Sequence, residues 1–239
     1  MTLREITPAW MRLAYRHVRL RWHARRLMRA ARDATTPARW FGILGRFPAF
    51  LSIQQPSEII GLLELIRRAQ PETVCEIGSA LGGTAFLLAR AASPRALVVL
   101  IDPAFDGART GALRLFAGPR QRVVCIGGSS TDPGVRRTLE RALRGRALEF
   151  LLIDGDHSYE GAAADFARYS PLVGAGGLIA FHDILPDHGA RLGTPTGNWS
   201  GGVPRLWGEL RARYAGAARE FVADPEQDGY GIGVLTWPG

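Results

Sequence analysis

From residue 73 onward, short uninterrupted apolar runs alternate with stretches whose apolar residues recur every three or four positions. The runs TVCEIG (73–78), ALVVLID (96–102), RVVCIGG (122–128), LEFLLID (148–154) and GLIAFHD (177–183) lack the polar–apolar alternation of a half-solvated strand. That pattern predicts strands covered on both faces, as parallel strands are. Helical periodicity lies between them, in GGTAFLLARAA (82–92), PGVRRTLERALRG (133–145) and YEGAAADFARYSPLV (159–173), with a loop and a short helix expected in 103–120. A further helix, EIIGLLELIRRAQ, starts from Ser57 and stops before Pro71. Beyond a loop come a helix, VPRLWGELRARY (203–214), and two more strands, AREFVAD (218–224) and GIGVLTW (231–237), joined by the turn-forming PEQDGY. The expected architecture is α/β: a doubly wound, mostly parallel, seven-stranded sheet with an antiparallel C-terminal strand pair.

The N-terminal part follows a different pattern. Between Trp10 and Asp33 stand eight arginines and a single acid. Met11, Tyr15, Val18 and Trp22 share one face at helical spacing, and Leu13, Leu20 and Leu27 share the opposite one. This reads as a helix with two apolar stripes and arginines between them. Residues 34–56, with Pro37, Pro48 and Pro56, read as an irregular connector. The chain is therefore divided into a basic helical arm and connector, 1–52, and an α/β domain, 53–239. Two apolar stripes predict packing on the domain or on a sister subunit, hence a homo-oligomer. An anionic membrane surface or acidic partner, contacted through residues 10–33, is the alternative. No sustained apolar core follows the early arginines, which argues against a secretory signal, and aromatics on regular faces favour a retained helix over a transit peptide.

Composition narrows the picture. A chain of 239 residues, 46% hydrophobic, suits one large α/β domain, and nothing approaches the apolar run of a membrane span. The net charge is +8, yet all 30 basic residues are arginine. Avoidance of lysine points to a GC-rich coding sequence, so the basicity is weak evidence for a nucleic-acid partner. Cys75 and Cys125 sit inside apolar runs and read as small core residues of a reducing compartment, the cytoplasm, at most peripheral to a membrane.

The polar residues of interest fall at the carboxyl ends of the predicted strands, where ligands gather in such sheets. In CEIGSALGGT, Glu76, Gly78 and Ser79 close the first strand, and Gly82 opens a helix whose N-terminus favours an anionic group. A tight strand–helix turn without a ligand has the same look, and the spacing is not that of a dinucleotide fingerprint. Asp102 ends the second strand, 24 residues after Gly78, where a carboxylate can accept two ribose hydroxyls. After the third strand, Ser129 offers a small donor where an adenine would lie. Asp154 ends the fourth strand, with His157 three residues later and Ser158 placed to cap the next helix. His182 and Asp183 end the neighbouring fifth strand. Two carboxylates and an imidazole on one rim suit a divalent cation, Asp154, His182 and Asp183 being the candidate ligands. A polar cluster that binds only cofactor or substrate is the simpler alternative. His157, with an ordinary pKa near 6.5, is the candidate base.

These stretches resemble a known family. The spacing in EIGSALGGT resembles motif I of class I S-adenosylmethionine (SAM) methyltransferases, with Ala80 where the fuller motif has glycine. Together with LLIDGDHSYEGAAADFARYSPLVGAGGLIAFHDI and GGVPRLWGEL, it is similar to the family of macrolide-sugar O-methyltransferases and cephalosporin-hydroxylase-like proteins, over roughly residues 53–215. The resemblance implies a Rossmann-like fold and SAM bound by Glu76, Gly78, Ser79, Gly82, Asp102 and Ser129. It also implies a metal such as Mg²⁺ on Asp154, His182 and Asp183, with His157 as base and Asp154 beside it in catalysis. His182 stands where the metal-dependent sugar enzymes carry glutamate, which shifts preference toward a softer ion such as Mn²⁺ or Fe²⁺.

The implied reaction is O-methylation of a hydroxylated small molecule, a sugar or natural product. His188, Arg191 and Trp199, in the glycine- and proline-rich stretch 185–202, are candidate acceptor contacts of a lid. Competing readings are a non-catalytic scaffold docking through the basic arm, and a metal-dependent enzyme of another class on the same fold.

Overall fold

The computed structural model describes residues 9–239, with side chains from residue 14 onward; Met11 and Leu13 of the two stripes lie outside the described side chains. The chain begins with helix α1 (Ala9–Ala30), followed by α2 (Pro37–Leu44) and α3 (Pro56–Ala69). The alternating part is β1 (Thr73–Ile77), α4 (Gly83–Ala91), β2 (Leu97–Asp102), α5 (Gly107–Leu113), β3 (Arg122–Gly127), α6 (Pro133–Leu143), β4 (Leu148–Ile153), α7 (Tyr159–Tyr169) and β5 (Val173–His182). It closes with α8 (His188–Leu192), α9 (Val203–Arg213), β6 (Ala218–Phe221) and β7 (Ile232–Thr236). The seven strands are ordered β3-β2-β1-β4-β5-β7-β6, with β7 antiparallel to both neighbours. The expected sheet and its antiparallel end are therefore present.

Continuous apolar runs become strands here because each residue has a helix to pack against. Val74, Val98, Leu100, Phe150 and Leu152 point to a core shared with α1 to α5. Cys75, Val99, Ile101, Leu151 and Ile153 point to a second core under α6, α7 and α9. Capping marks the helix starts: Asp132 accepts from the Gly134 amide at 2.6 Å ahead of α6, and Ser158 accepts from the Gly161 amide at 3.0 Å ahead of α7. β5 starts at Val173, earlier than the sequence predicts, because the glycine-rich GAGG forms a bulge that shifts the register opposite Leu148 and Phe150.

The connector differs from expectation. Residues 37–44 are helical, since Pro37 occupies the first helical position, Thr36 caps it, and Trp40 and Leu44 bury one turn apart. A second difference concerns α1. Leu20, Ala24 and Leu27 are buried in the same core as α4 and α5, whereas Tyr15, Val18 and Trp22 face solvent. Leu20 and Leu27 of the leucine stripe are thus covered by the chain's own domain. α1 runs along the side of the domain. Arg16 pairs with Asp106 and His17 lies over Gly107 at the start of α5, while the Ala31 and Ala34 carbonyls beyond the other end accept from Arg90 of α4.

Candidate active site

The strand order reverses between β1 and β4, and a crevice opens beyond their carboxyl ends. Its floor is the turn after β1. Gly78 adopts φ +87°, and a Cβ there would lie 1.9 Å from the Asp154 carbonyl oxygen, so only glycine lets the ends of β1 and β4 come this close. Two adjoining cavities follow, of about 300 and 340 Å³, sharing Gly78, Ala80 and Asp154.

The second cavity runs past Asp102, Pro103, Ser129 and Ser130. Asp102 is buried at the end of β2, and its two oxygens accept the amides of Ala80 and Ala104, each at 2.7 Å. It therefore ties the turn after β1 to that after β2 and still lines the cavity. Ser129 also lines it, with its hydroxyl 2.7 Å from that of Thr131. Behind Gly155, Asp165 of α7 is buried without a partner for either oxygen, and burial pushes its carboxyl up to about 6.

Glu76 lies fully buried at the end of β1. Ser79, which lines the first cavity, donates to its Oε2 at 2.6 Å, while Oε1 has no partner. Burial, reinforced by the charges of Asp154 and Asp102 against the opposing Ser79 hydrogen bond, pushes its pKa up to about 8. Gly82 lines neither cavity. A Cβ there would lie 2.2 Å from Leu113, so the glycine lets the start of α4 pack against α5.

The first cavity holds the acid–imidazole rim. His182 Nδ1 lies 3.2 Å from Asp154 Oδ1 and 3.1 Å from Asp183 Oδ2. One ligand atom from each of Asp154, His182 and Asp183 lies within 4.8 Å of the others. His157 Nε2 stands 3.6 Å from Asp154 Oδ1, and its Nδ1 is 2.8 Å from the Trp199 carbonyl. The expectation of an ordinary His157 is corrected: the neighbouring Asp154 carboxylate outweighs desolvation and, with the Trp199 carbonyl, raises its pKa to about 9. Burial alone would raise the pKa of Asp154, but the His182 charge and hydrogen bonds from both histidines hold it down at about 2. Asp183 has φ +60°, a strained conformation for a non-glycine residue, and its Oδ1 accepts the Tyr230 amide at 3.2 Å.

Two residues that no motif announces support this rim. Gln54, from the connector, donates to Asp154 Oδ2 at 3.0 Å. Glu58, buried in α3, accepts from the amides of Ala223 and Gly231 and the side chain of Gln227, and so pins the β6–β7 connection beside Tyr230. In the stretch 185–202, Trp199 stacks on His157 at 5.7 Å between ring centroids and lines the cavity. His188 and Arg191 do not line it; they hold the 224–228 turn through Asp228 and Glu226. Leu51, Ile53 and Leu81, all exposed, complete the mouth with Trp199.

The sheet order and the crevice at its switch point define a Rossmann-like, doubly wound α/β fold, with Glu76, Asp102, Asp154 and Asp183 at the carboxyl ends of four strands. Residues 75–184 match the family model described as a methyltransferase domain. Among solved structures, it is similar to the O-methyltransferase TomG from Streptomyces achromogenes, involved in tomaymycin synthesis and solved with SAM. Identity is 18%, with 91% of this chain and 90% of that one covered and a TM-score of 0.57. It is also similar to an O-methyltransferase from Bacillus cereus solved with SAH, at 17% identity, 87% and 96% coverage and a TM-score of 0.59. No curated protein matches the chain.

Proposed function

We propose that the protein transfers the methyl group of SAM to a hydroxyl of a small molecule, with residues 53–239 as the catalytic unit in a reducing cytoplasm. The observation that carries this reading is the pair of adjoining cavities meeting at Gly78, Ala80 and Asp154, one running to Asp102 and Ser129 and the other to the acid–imidazole rim. SAM fits this division. Its adenosine end belongs beside Asp102 and Ser129. Its cationic methionine end belongs near Ser79 and Glu76, whose unpartnered Oε1 is a buried acceptor awaiting a donor.

The acceptor then enters between Trp199, Leu51, Ile53 and Leu81, which favours a molecule with an apolar body carrying the reactive hydroxyl. The protein's part is alignment for in-line displacement and removal of the hydroxyl proton. His157 is the candidate base, and the Asp154 carboxylate 3.6 Å away favours its protonated form. The donor set of two carboxylates and one imidazole also fits a divalent ion, with Mn²⁺ or Fe²⁺ suiting the imidazole better than Mg²⁺. When bound, such an ion lowers the pKa of a hydroxyl it holds.

The test is calorimetric titration of SAM into the chelator-treated chain, repeated with Mn²⁺ and Mg²⁺ and on Asp102→Ala. Micromolar binding, weakened by at least roughly tenfold in Asp102→Ala, is expected from the loss of a charged hydrogen-bond acceptor. Absence of SAM binding under every condition overturns the reading. A metal-dependent heat that disappears in Asp154→Ala is the expected sign of the cation.

A further inference from the structure

With Leu20 and Leu27 buried, α1 keeps an outward face that nothing in the described structure covers. Tyr15, Val18 and Trp22 follow one another along it and are 67%, 68% and 50% exposed. Arg25, Arg26 and Arg29 continue the same face by helical spacing, and Arg19 flanks it; all four are exposed. Among the described residues, none of these arginines has an ion-pair partner, and positions 14–32 contain no acid. The charges and the apolar row form one surface, since the Arg26 guanidinium lies 4.6 Å from the Trp22 ring centroid and that of Arg19 lies 5.9 Å from the Tyr15 ring.

We propose that this face seats the protein on an anionic lipid bilayer, with α1 lying in the headgroup plane. Three observations select a bilayer over other occupants. First, an apolar row with aromatic members, bordered by arginines, matches the interface of a bilayer: rings and Val18 enter the acyl boundary while guanidinium groups meet lipid phosphates. Second, a nucleic acid would use the arginines but leave Val18 in water. Third, a second copy docking by two-fold symmetry brings both sets of unpaired arginines into one seam with no acid in positions 14–32 to neutralise them, whereas lipid phosphates supply the opposite charge. The helix is suited to the role because its other face is fixed: Leu20, Ala24 and Leu27 lock it to the domain, so the outward residues are presented on a rigid support. No helix among the described residues is long and apolar enough to cross a membrane, so attachment through α1 is peripheral.

The inference is independent of the reaction proposed above, and its test needs no methyl transfer. The full chain is floated with vesicles of phosphatidylcholine alone and with vesicles containing equal parts of phosphatidylcholine and phosphatidylglycerol. Flotation with the mixed vesicles only is expected. Both Val18→Ser with Trp22→Ser, and Arg25→Glu with Arg29→Glu, are expected to lower the partition coefficient by roughly tenfold or more. Failure to float with anionic vesicles overturns the proposal. So does binding that the arginine pair weakens and the apolar pair leaves intact, because that is attraction to any polyanion. Sedimentation velocity provides the remaining arm: a dimer abolished by Val18→Ser with Trp22→Ser assigns the face to a second copy and overturns the lipid seat.

Discussion

Gln54 donates its side-chain amide to Oδ2 of Asp154, 3.0 Å away and a hundred residues along the chain. The bond fixes the carboxylate from the side opposite the two histidines, which lie by Oδ1. Gln54→Ala removes a neutral donor from a nearly buried charge, an interaction worth on the order of 1.5–3 kcal/mol. We expect kcat/KM for methyl transfer to fall by roughly tenfold or more while the Kd for SAM stays unchanged, since Gln54 touches the rim and not the adenosine cavity. A matching loss of SAM affinity would place Gln54 in cofactor binding.

The turn after β1 offers a paired test of backbone strain. Gly78 has φ +87° and no room for a Cβ, whereas Ala80 holds φ +43° with its amide bonded to Asp102. Gly78→Ala should destabilise the fold by more than about 3 kcal/mol, through the contact with the Asp154 carbonyl as well as the dihedral. Ala80→Gly relieves a left-handed alanine at the expense of a looser unfolded chain, and should stabilise by up to about 1 kcal/mol. Urea unfolding midpoints of the two variants, moving in opposite directions, are the measurement.

The mostly parallel sheet with its antiparallel end and the gathering of acids at the strand ends were legible because periodicity and position suffice for them: apolar runs make buried strands, and a parallel sheet puts all their carboxyl ends on one edge. Ser158 as a cap was legible for the same local reason. What escaped depends on tertiary contact. Pro37 looked like a breaker and is a helix start, because Trp40 and Leu44 have a core to enter. Gln54 and Glu58 belong to no motif, and their partners lie a hundred or more residues away. His188 and Arg191 were expected at the acceptor, but the hairpin turn claims them. The protonation of His157 could not be read from its spacing, since it depends on how close Asp154 stands in the fold.

Glu76 gives a pH dependence with a definite sign. Its folded pKa of about 8 lies above the ordinary 4.5, so between those values the native chain holds a proton that the unfolded chain has lost. The stability this group contributes is full below about pH 4.5, declines as pH rises, and is gone above about 8, at roughly 1.4 kcal/mol per unit within the interval. Glu76→Gln should flatten this slope and make the free protein more stable than wild type at pH 8. Because the cationic end of SAM favours the ionised carboxylate, SAM binding at pH 7 should release a proton, visible as a dependence of the binding enthalpy on the buffer's ionisation heat. The Gln variant should bind more weakly and release none.

Helix α1 carries the last prediction, because its two faces should respond to substitution in unlike ways. Leu27 is fully buried in the core shared with α4 and α5, whereas Trp22, five residues earlier, is half exposed and meets no core residue's demand for packing. Leu27→Ala leaves a cavity and should cost about 2–5 kcal/mol. Trp22→Ala removes a larger side chain yet should move stability by less than about 0.5 kcal/mol, as surface substitutions do. Thermal or urea unfolding of the two single variants decides it. Equal losses would mean that the aromatic row is packed in solution, and the outward face would no longer be available to a membrane. Deletion of residues 1–33 would strip Leu20, Ala24, Leu27 and Ala31 from the core, so activity lost with it would report an opened domain and not a lost tether.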